Sequence, residues 1–144
     1  MKKWLIVVII AIGLLATAIS QYKSILTSYA EFFTVNNAIS GADAIVVLSG
    51  GKATRIPHAL KLFAQGYAPR LLLTDEKKRN IRFVHLFSTN EEIAQAMIEE
   101  LKMNVQIKTV PSLKKGATST FDEAYDLLQL SKIEGFNHLI LVTD

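Results

Sequence analysis

Four short apolar runs, each closing on small polar or turn residues, constrain this chain more than any other feature. They are Ala44-Ile-Val-Val-Leu-Ser49, Arg70-Leu-Leu-Leu-Thr-Asp75, Val105 to Val110 and His138 to Thr143. Apolar runs of this length, bounded by turn signals, read as buried strands. The segments between them are far too long for hairpins and carry a helical period instead. Ile56, Ala59, Leu60 and Phe63 recur at helical spacing, as do Ala94, Met97, Ile98 and Leu101, and then Phe121, Ala124, Tyr125 and Leu128. Each set is expected to form the buried face of its helix. Strands alternating with such helices make an open parallel α/β sheet with flanking helices.

Local signals set the expected boundaries. The first helix of the domain is expected from Thr54, with Pro57 in its first turn, where a missing N–H is tolerated. Gly66 suits the position after its C-cap, and Pro69 blocks continuation. Residues 76–83 form a charged loop. Ser88 with Glu91 and Thr89 with Glu92 make overlapping capping boxes, and Thr120 with Glu123 makes a third, so Thr120 is the expected N-cap of the last helix. Gly135 closes that helix.

In a parallel sheet the four strand ends share one edge, where such folds open a ligand crevice. The ordered run Ser49-Gly50-Gly51 followed by Arg55 reads as a strand, a glycine turn and a helix N-terminus, which together suit an anion. Arg55 is placed to grip a phosphate or carboxylate with both arms of its guanidinium. The plainer reading is a tight turn with Arg55 paired to a nearby carboxylate. Thr74 and Asp75 end the second strand, and Asp75 lies about twenty residues past the glycines, where dinucleotide folds place a ribose-binding acid. A solvated loop carboxylate explains it as simply. Thr118, Ser119 and Thr120 open the last helix as caps or ligand contacts, and Thr143 ends the fourth strand beside Asp144. Asp122 is the candidate acid, base or metal-associated carboxylate, against the plainer role of complementing the helix dipole. The pattern is neither a dinucleotide GxGxxG nor a Walker loop, and a GxSxG elbow is absent. His58, His85 and His138 show no metal spacing.

The N-terminus bears on compartment. Lys2-Lys3 precede Trp4 to Ile19, an uncharged run with Tyr22 and Lys23 beyond it. As a helix that run spans about 24 Å, short of the ~30 Å hydrocarbon core, but snorkelling lysines and interfacial aromatics extend its reach. A membrane anchor is the expectation. A cleaved signal peptide with Ala16-Thr17-Ala18 at its cleavage site, or a buried helix, are the alternatives. The positive-inside rule then puts the remainder outside the cytoplasm. This divides the chain into an anchor over 1–22, a connector over 23–42 and an α/β domain over 43–144.

Composition excludes several classes. The chain has no cysteine, which removes disulfides, thiolate metal sites and cysteine nucleophiles. Net charge is only +3, and neither a basic helix nor an aromatic platform accompanies it, which argues against nucleic acid as a partner.

The ordered set Ala44-Ile-Val-Val-Leu-Ser-Gly-Gly51, Arg55, Ala59-Leu60, Gly66-Tyr-Ala-Pro69, Ala117-Thr-Ser-Thr120, Asp122-Glu123-Ala124 and Leu139-Ile-Leu-Val-Thr-Asp144 resembles the YdcF/SanA/ElyC-like family of bacterial envelope-associated proteins. The resemblance covers residues 43–144. It implies a Rossmann-like fold and, for the anchored members, an inner-membrane helix before a periplasmic domain. Three departures stand out. The family's His and Arg after the last strand have no counterpart before the chain ends, which reads as a truncated domain. Asp122-Glu123 replaces a usual Glu-Asn, and Asp75 leads into a lysine-rich loop instead of a glycine. The expected function is binding of an anionic or phosphorylated ligand, such as a lipid-linked precursor, in envelope and peptidoglycan biogenesis at the bacterial inner membrane. A soluble protein binding S-adenosylmethionine or a nucleotide, and a non-catalytic scaffold or inactive fragment, are the alternatives. No cofactor or metal is specified by these residues.

Overall fold

The computed structural model describes residues 2–77, 82, 83, 86 and 88–143. Residues 78–81 of the charged loop, His85 and Asp144 lie outside them. The chain divides into two compact units, Met1–Asn37 and Ala38–Asp144.

The first unit is a single helix, α1 (Lys2–Phe33), of 32 residues. It runs unbroken through the first half of the expected connector. No charge falls between Lys3 and Lys23, so the uncharged stretch continues past Ile19. At ~1.5 Å per residue it spans about 28 Å, close to the ~30 Å hydrocarbon core. Among the described residues this is the one helix long and apolar enough to cross a membrane. Its side chains are exposed all round, from Trp4 to Phe33.

The second unit alternates β1 (Ala44–Val47), α2 (Lys52–Ala64), β2 (Leu71–Thr74), α3 (Asn90–Glu100), β3 (Ile107–Val110), α4 (Thr120–Glu134) and β4 (Leu139–Val142). The four strands form one parallel sheet in the order β3-β2-β1-β4. The α/β class and the parallel sheet are therefore as expected, while each strand is shorter than its apolar run. Ser49 leaves the ladder because its N–H turns to Thr74 and Glu123. At His138 the carbonyl still accepts from Asp43 N at 2.8 Å, but the N–H is diverted to the Asp43 carboxylate at 2.9 Å. Asp43 also accepts from Asn137 N–H at 2.8 Å, clipping the start of β1 to the start of β4. Those two amides hold the Asp43 carboxyl below its ordinary range.

Strand alternation sorts the core into two layers. Ile45, Val47, Leu71, Leu73, Ile140 and Val142 face α2 and α3, where Ile56, Ala59, Leu60, Ala94 and Ile98 meet them. Ala44, Val46, Leu72 and Val110 face α4, through Leu127 and Leu130. Full burial of each large aliphatic side chain contributes about 1.5–3 kcal/mol. Since β4 lies on the far side of β1 from β2, the sheet changes direction between β1 and β4, and α4 lies on the opposite face from α2 and α3.

Three local expectations are corrected. Helix α2 starts at Lys52 with Gly51 as N-cap, earlier than Thr54, so Pro57 sits beyond the first turn. Lacking an N–H, Pro57 leaves the Ala53 carbonyl without its usual helical donor. Leu62 is buried on α2 where Phe63 was expected, and Phe63 is half-buried. On α3, Ala94 and Ile98 are buried, but Leu101 becomes the exposed C-cap. By contrast, the Thr89–Glu92 capping box forms with both bonds, at 2.8 and 3.1 Å. Gly66 takes the left-handed conformation after the α2 C-cap, and its neighbour Tyr67 donates to Leu62 O at 3.2 Å. The Gly135 cap of α4 is left-handed as well.

The largest correction concerns α4. Phe121 is 78% exposed, Tyr125 49% and Leu128 49%, and Ala124 is exposed with them. The face turned to the sheet carries Asp122, Glu123, Asp126, Leu127 and Leu130. The helix is rotated by about half a turn from the orientation its apolar spacing predicts.

Candidate functional site

The carboxyl edge of the sheet is organised by hydrogen bonds that β1, β2 and α4 share. The Ser49 N–H donates to Thr74 Oγ1 at 2.8 Å and to Glu123 Oε1 at 2.7 Å. The Thr74 hydroxyl donates to the same Glu123 oxygen. Ser49 Oγ lies 3.1 Å from both Thr74 O and Thr74 Oγ1. Glu123 is 5% exposed and Thr74 2%, so this network sits in the interior of the edge. A carboxylate buried to that extent is tolerated only when donors surround it. Because these bonds reach from α4 to the ends of both central strands, they rotate the helix acid-side inward.

The other two inward carboxylates tie the loop before α4. Asp122 accepts from Thr118 Oγ1 at 2.6 Å, Thr118 N at 3.1 Å and Lys114 Nζ at 2.8 Å. The Lys114 ammonium, with the Thr118 hydroxyl and amide, holds the Asp122 carboxyl far below the carboxylate range, and Asp122 in turn raises Lys114. A group this firmly ionised donates no proton at neutral pH and is a poor base. Asp126 accepts from Leu113 N at 3.1 Å. The N-cap of α4 is Ser119, whose Oγ accepts from Asp122 N at 3.2 Å. Thr120 is the first helical residue and is exposed, so the expected Thr120–Glu123 capping box is replaced by a cap one residue earlier. The physical reason is Glu123, whose carboxylate is taken by the strand ends.

Beyond β2, the segment with Asp75 pairs with that same loop. Asp75 O accepts from Ala117 N at 2.8 Å, and Lys77 N donates to Ala117 O at 2.9 Å. Gly116 makes this approach possible, since a Cβ there would lie 2.3 Å from Lys77 Cα. The Asp75 side chain is exposed at the end of β2, and Thr143 is exposed at the end of β4.

The glycine turn follows β1. Gly50 has φ +121°, a left-handed value, and a Cβ on it would meet Arg55 Nη1 at 2.7 Å. Arg55 Nη1 folds back over the turn and donates to Leu48 O at 3.1 Å and to Ser49 O. One arm of the guanidinium thus fastens the turn instead of pointing to a ligand. Gly51 caps α2 with its carbonyl, which accepts from Thr54 N at 3.0 Å and Arg55 N at 2.9 Å, but it has no side chain to receive the first-turn N–H groups. Helices α3 and α4 have such a receiver, in Thr89 and Ser119.

The structure therefore brings Ser49 and Thr74 into direct contact, sets Gly50, Gly51 and Arg55 beside them, and joins Asp75 to the α4 loop through the backbone. Ser119 and Thr120 act at the helix start. Glu123 is the residue sequence reasoning did not assign to the site. Its signal was present, because Asp122, Glu123 and Asp126 share a helix face with Leu127 and Leu130, but the aromatic stripe offered a competing face. His58 and His138 are exposed, and among the described residues no group of three or more His, Asp or Glu side chains is placed to hold a metal. No protein-family model, curated protein or solved structure matches the chain.

Proposed function

We propose that this chain is a membrane-anchored, Rossmann-like domain that binds a phosphorylated small molecule or lipid-linked precursor, in bacterial envelope biogenesis. The observation that carries the reading is the turn after β1. There the left-handed Gly50 and the side-chain-free N-cap Gly51 lead straight into α2, at the edge where the sheet changes direction. The first N–H groups of a helix lack intrahelical partners, and together with the helix dipole they favour an anion. Arg55 holds this turn in shape. Across the edge, the exposed Asp75 and Thr143 suit hydroxyl groups of the same ligand. The resemblance to the YdcF/SanA/ElyC-like family and the apolar α1 support the envelope setting, with Lys2 and Lys3 on the cytoplasmic side. The role is binding; Glu123 and Asp122 are committed to the chain's own donors.

Gly51→Asp separates ligand from fold. A carboxylate at an N-cap receives the first-turn amides and maintains or slightly raises helix stability, yet it repels a phosphate from the same place. In detergent-solubilised full chain, calorimetric titration with pyrophosphate and with a polyprenyl phosphate should give binding to the wild type and none to Gly51→Asp, with thermal unfolding no lower. Equal binding by both chains would reject the site.

A further inference from the structure

The stripe Phe121, Ala124, Tyr125 and Leu128 points directly away from the sheet, opposite the face that carries Leu127 and Leu130. Its charge environment is one-sided. Asp122, Glu123 and Asp126 are all buried against the domain. Glu134 is paired with Lys108 at 2.6 Å and with Arg70 at 3.8 Å. The outward face of α4 thus carries no acid of its own, and exposed Lys132 continues the stripe one turn beyond Leu128. Just ahead of the helix Lys115 is exposed, next to Lys114, whose ammonium is paired with Asp122. On the same side of the sheet, Leu141 of β4 is 54% exposed.

Apolar and aromatic side chains on one helix face, with lysines near both ends and no acid between, match an interfacial helix that lies on anionic lipid. A second copy fits less well, because two such faces would set lysines near one another and offer no carboxylate to meet them. We infer that α4 rests its outward face on the surface of an anionic bilayer. The inference rests on reading α1 as a membrane anchor, which holds the domain at high effective concentration near lipid so that even a weak interfacial contact is populated.

The test uses the full chain in vesicles of phosphatidylglycerol and phosphatidylcholine, with and without bromine on the acyl chains. The single tryptophan, Trp4, reports α1 in the wild type. On a Trp4→Phe background, Leu128→Trp reports the outward face of α4, and Leu101→Trp, exposed at the end of α3 on the opposite layer, is the reference. Brominated lipid should quench Trp4 and Leu128→Trp and quench Leu101→Trp several-fold less. Quenching of Trp4 with Leu128→Trp unaffected, or equal to Leu101→Trp, overturns the α4 contact and leaves the anchor intact. An unquenched Trp4 overturns the anchor and this inference with it. Cross-linking between copies through position 128, with Leu128→Trp unquenched, overturns the lipid assignment in favour of self-association.

Discussion

At the scale of single residues, Glu123 decides the geometry of the edge. One of its oxygens receives the Ser49 amide and the Thr74 hydroxyl, so removing it takes a shared, charged acceptor from both and leaves Ser49 N–H with Thr74 Oγ1 and the Thr74 hydroxyl with Val47 O. Glu123→Ala should cost roughly 1.5–3 kcal/mol, the usual worth of hydrogen bonds to a charged group. Glu123→Gln retains an acceptor oxygen and should recover most of that loss in a urea titration. Equal destabilisation by both would show that charge, not hydrogen bonding, holds the edge together. Arg55 illustrates the same point from the other side. Its type and position suit an anion grip, but the carbonyls of Leu48 and Ser49 claim one arm, and Gly50 is glycine partly because that arm occupies the space a Cβ would need.

At the scale of elements, α4 is where pattern and packing disagree. Two stripes compete on it, Phe121-Ala124-Tyr125-Leu128 and Leu127-Leu130 with the three carboxylates. Periodicity alone ranks the first higher, since it contains two aromatics. The second wins because Asp122, Glu123 and Asp126 each find a donor on a neighbouring segment, and only one rotation of the helix satisfies all three. Leu127→Ala should therefore cost about 2–5 kcal/mol, as for a buried leucine. Leu128→Ser should stay within about 0.5 kcal/mol, as for exposed positions. Reversed magnitudes in denaturant unfolding would restore the aromatic stripe as the core face. The other helices behave as their spacing suggests, with small shifts at the ends: the capping box at Thr89 and the glycine after α2 were legible because they depend on neighbours in sequence.

At the scale of the whole molecule, carboxylates fasten one segment of the chain to another. Asp43 joins β1 to β4, Glu134 of α4 meets Lys108 of β3, and Asp122 ties α4 to the loop ahead of it. The Asn137 and His138 amides, Lys108 and Lys114 lower the pKa of Asp43, Glu134 and Asp122 respectively. A carboxyl whose folded pKa is depressed contributes stability above its unfolded pKa and loses it as pH falls through the folded value. Unfolding monitored by circular dichroism should thus show stability declining on acidification below the ordinary carboxylate range. Asp122→Asn should flatten that decline while lowering stability at neutral pH. An unchanged acid limb in this variant would mean that the Lys114 pair contributes nothing to it.

The sequence by itself determined the α/β class, the order of elements, the parallel sheet and the presence of an apolar N-terminal helix, because each follows from local periodicity and connection length. It also placed Ser49, Gly50, Gly51, Thr74 and Asp75 at strand ends, which is enough to locate the edge. Only the tertiary structure decided that α4 turns its acids inward, that Glu123 joins the strand ends, and that Arg55 fastens its own turn. Those outcomes depend on donors up to 74 positions away in the chain, the separation of Ser49 from Glu123. Burial of a carboxylate becomes favourable only once such donors converge, and no local pattern records where they will be.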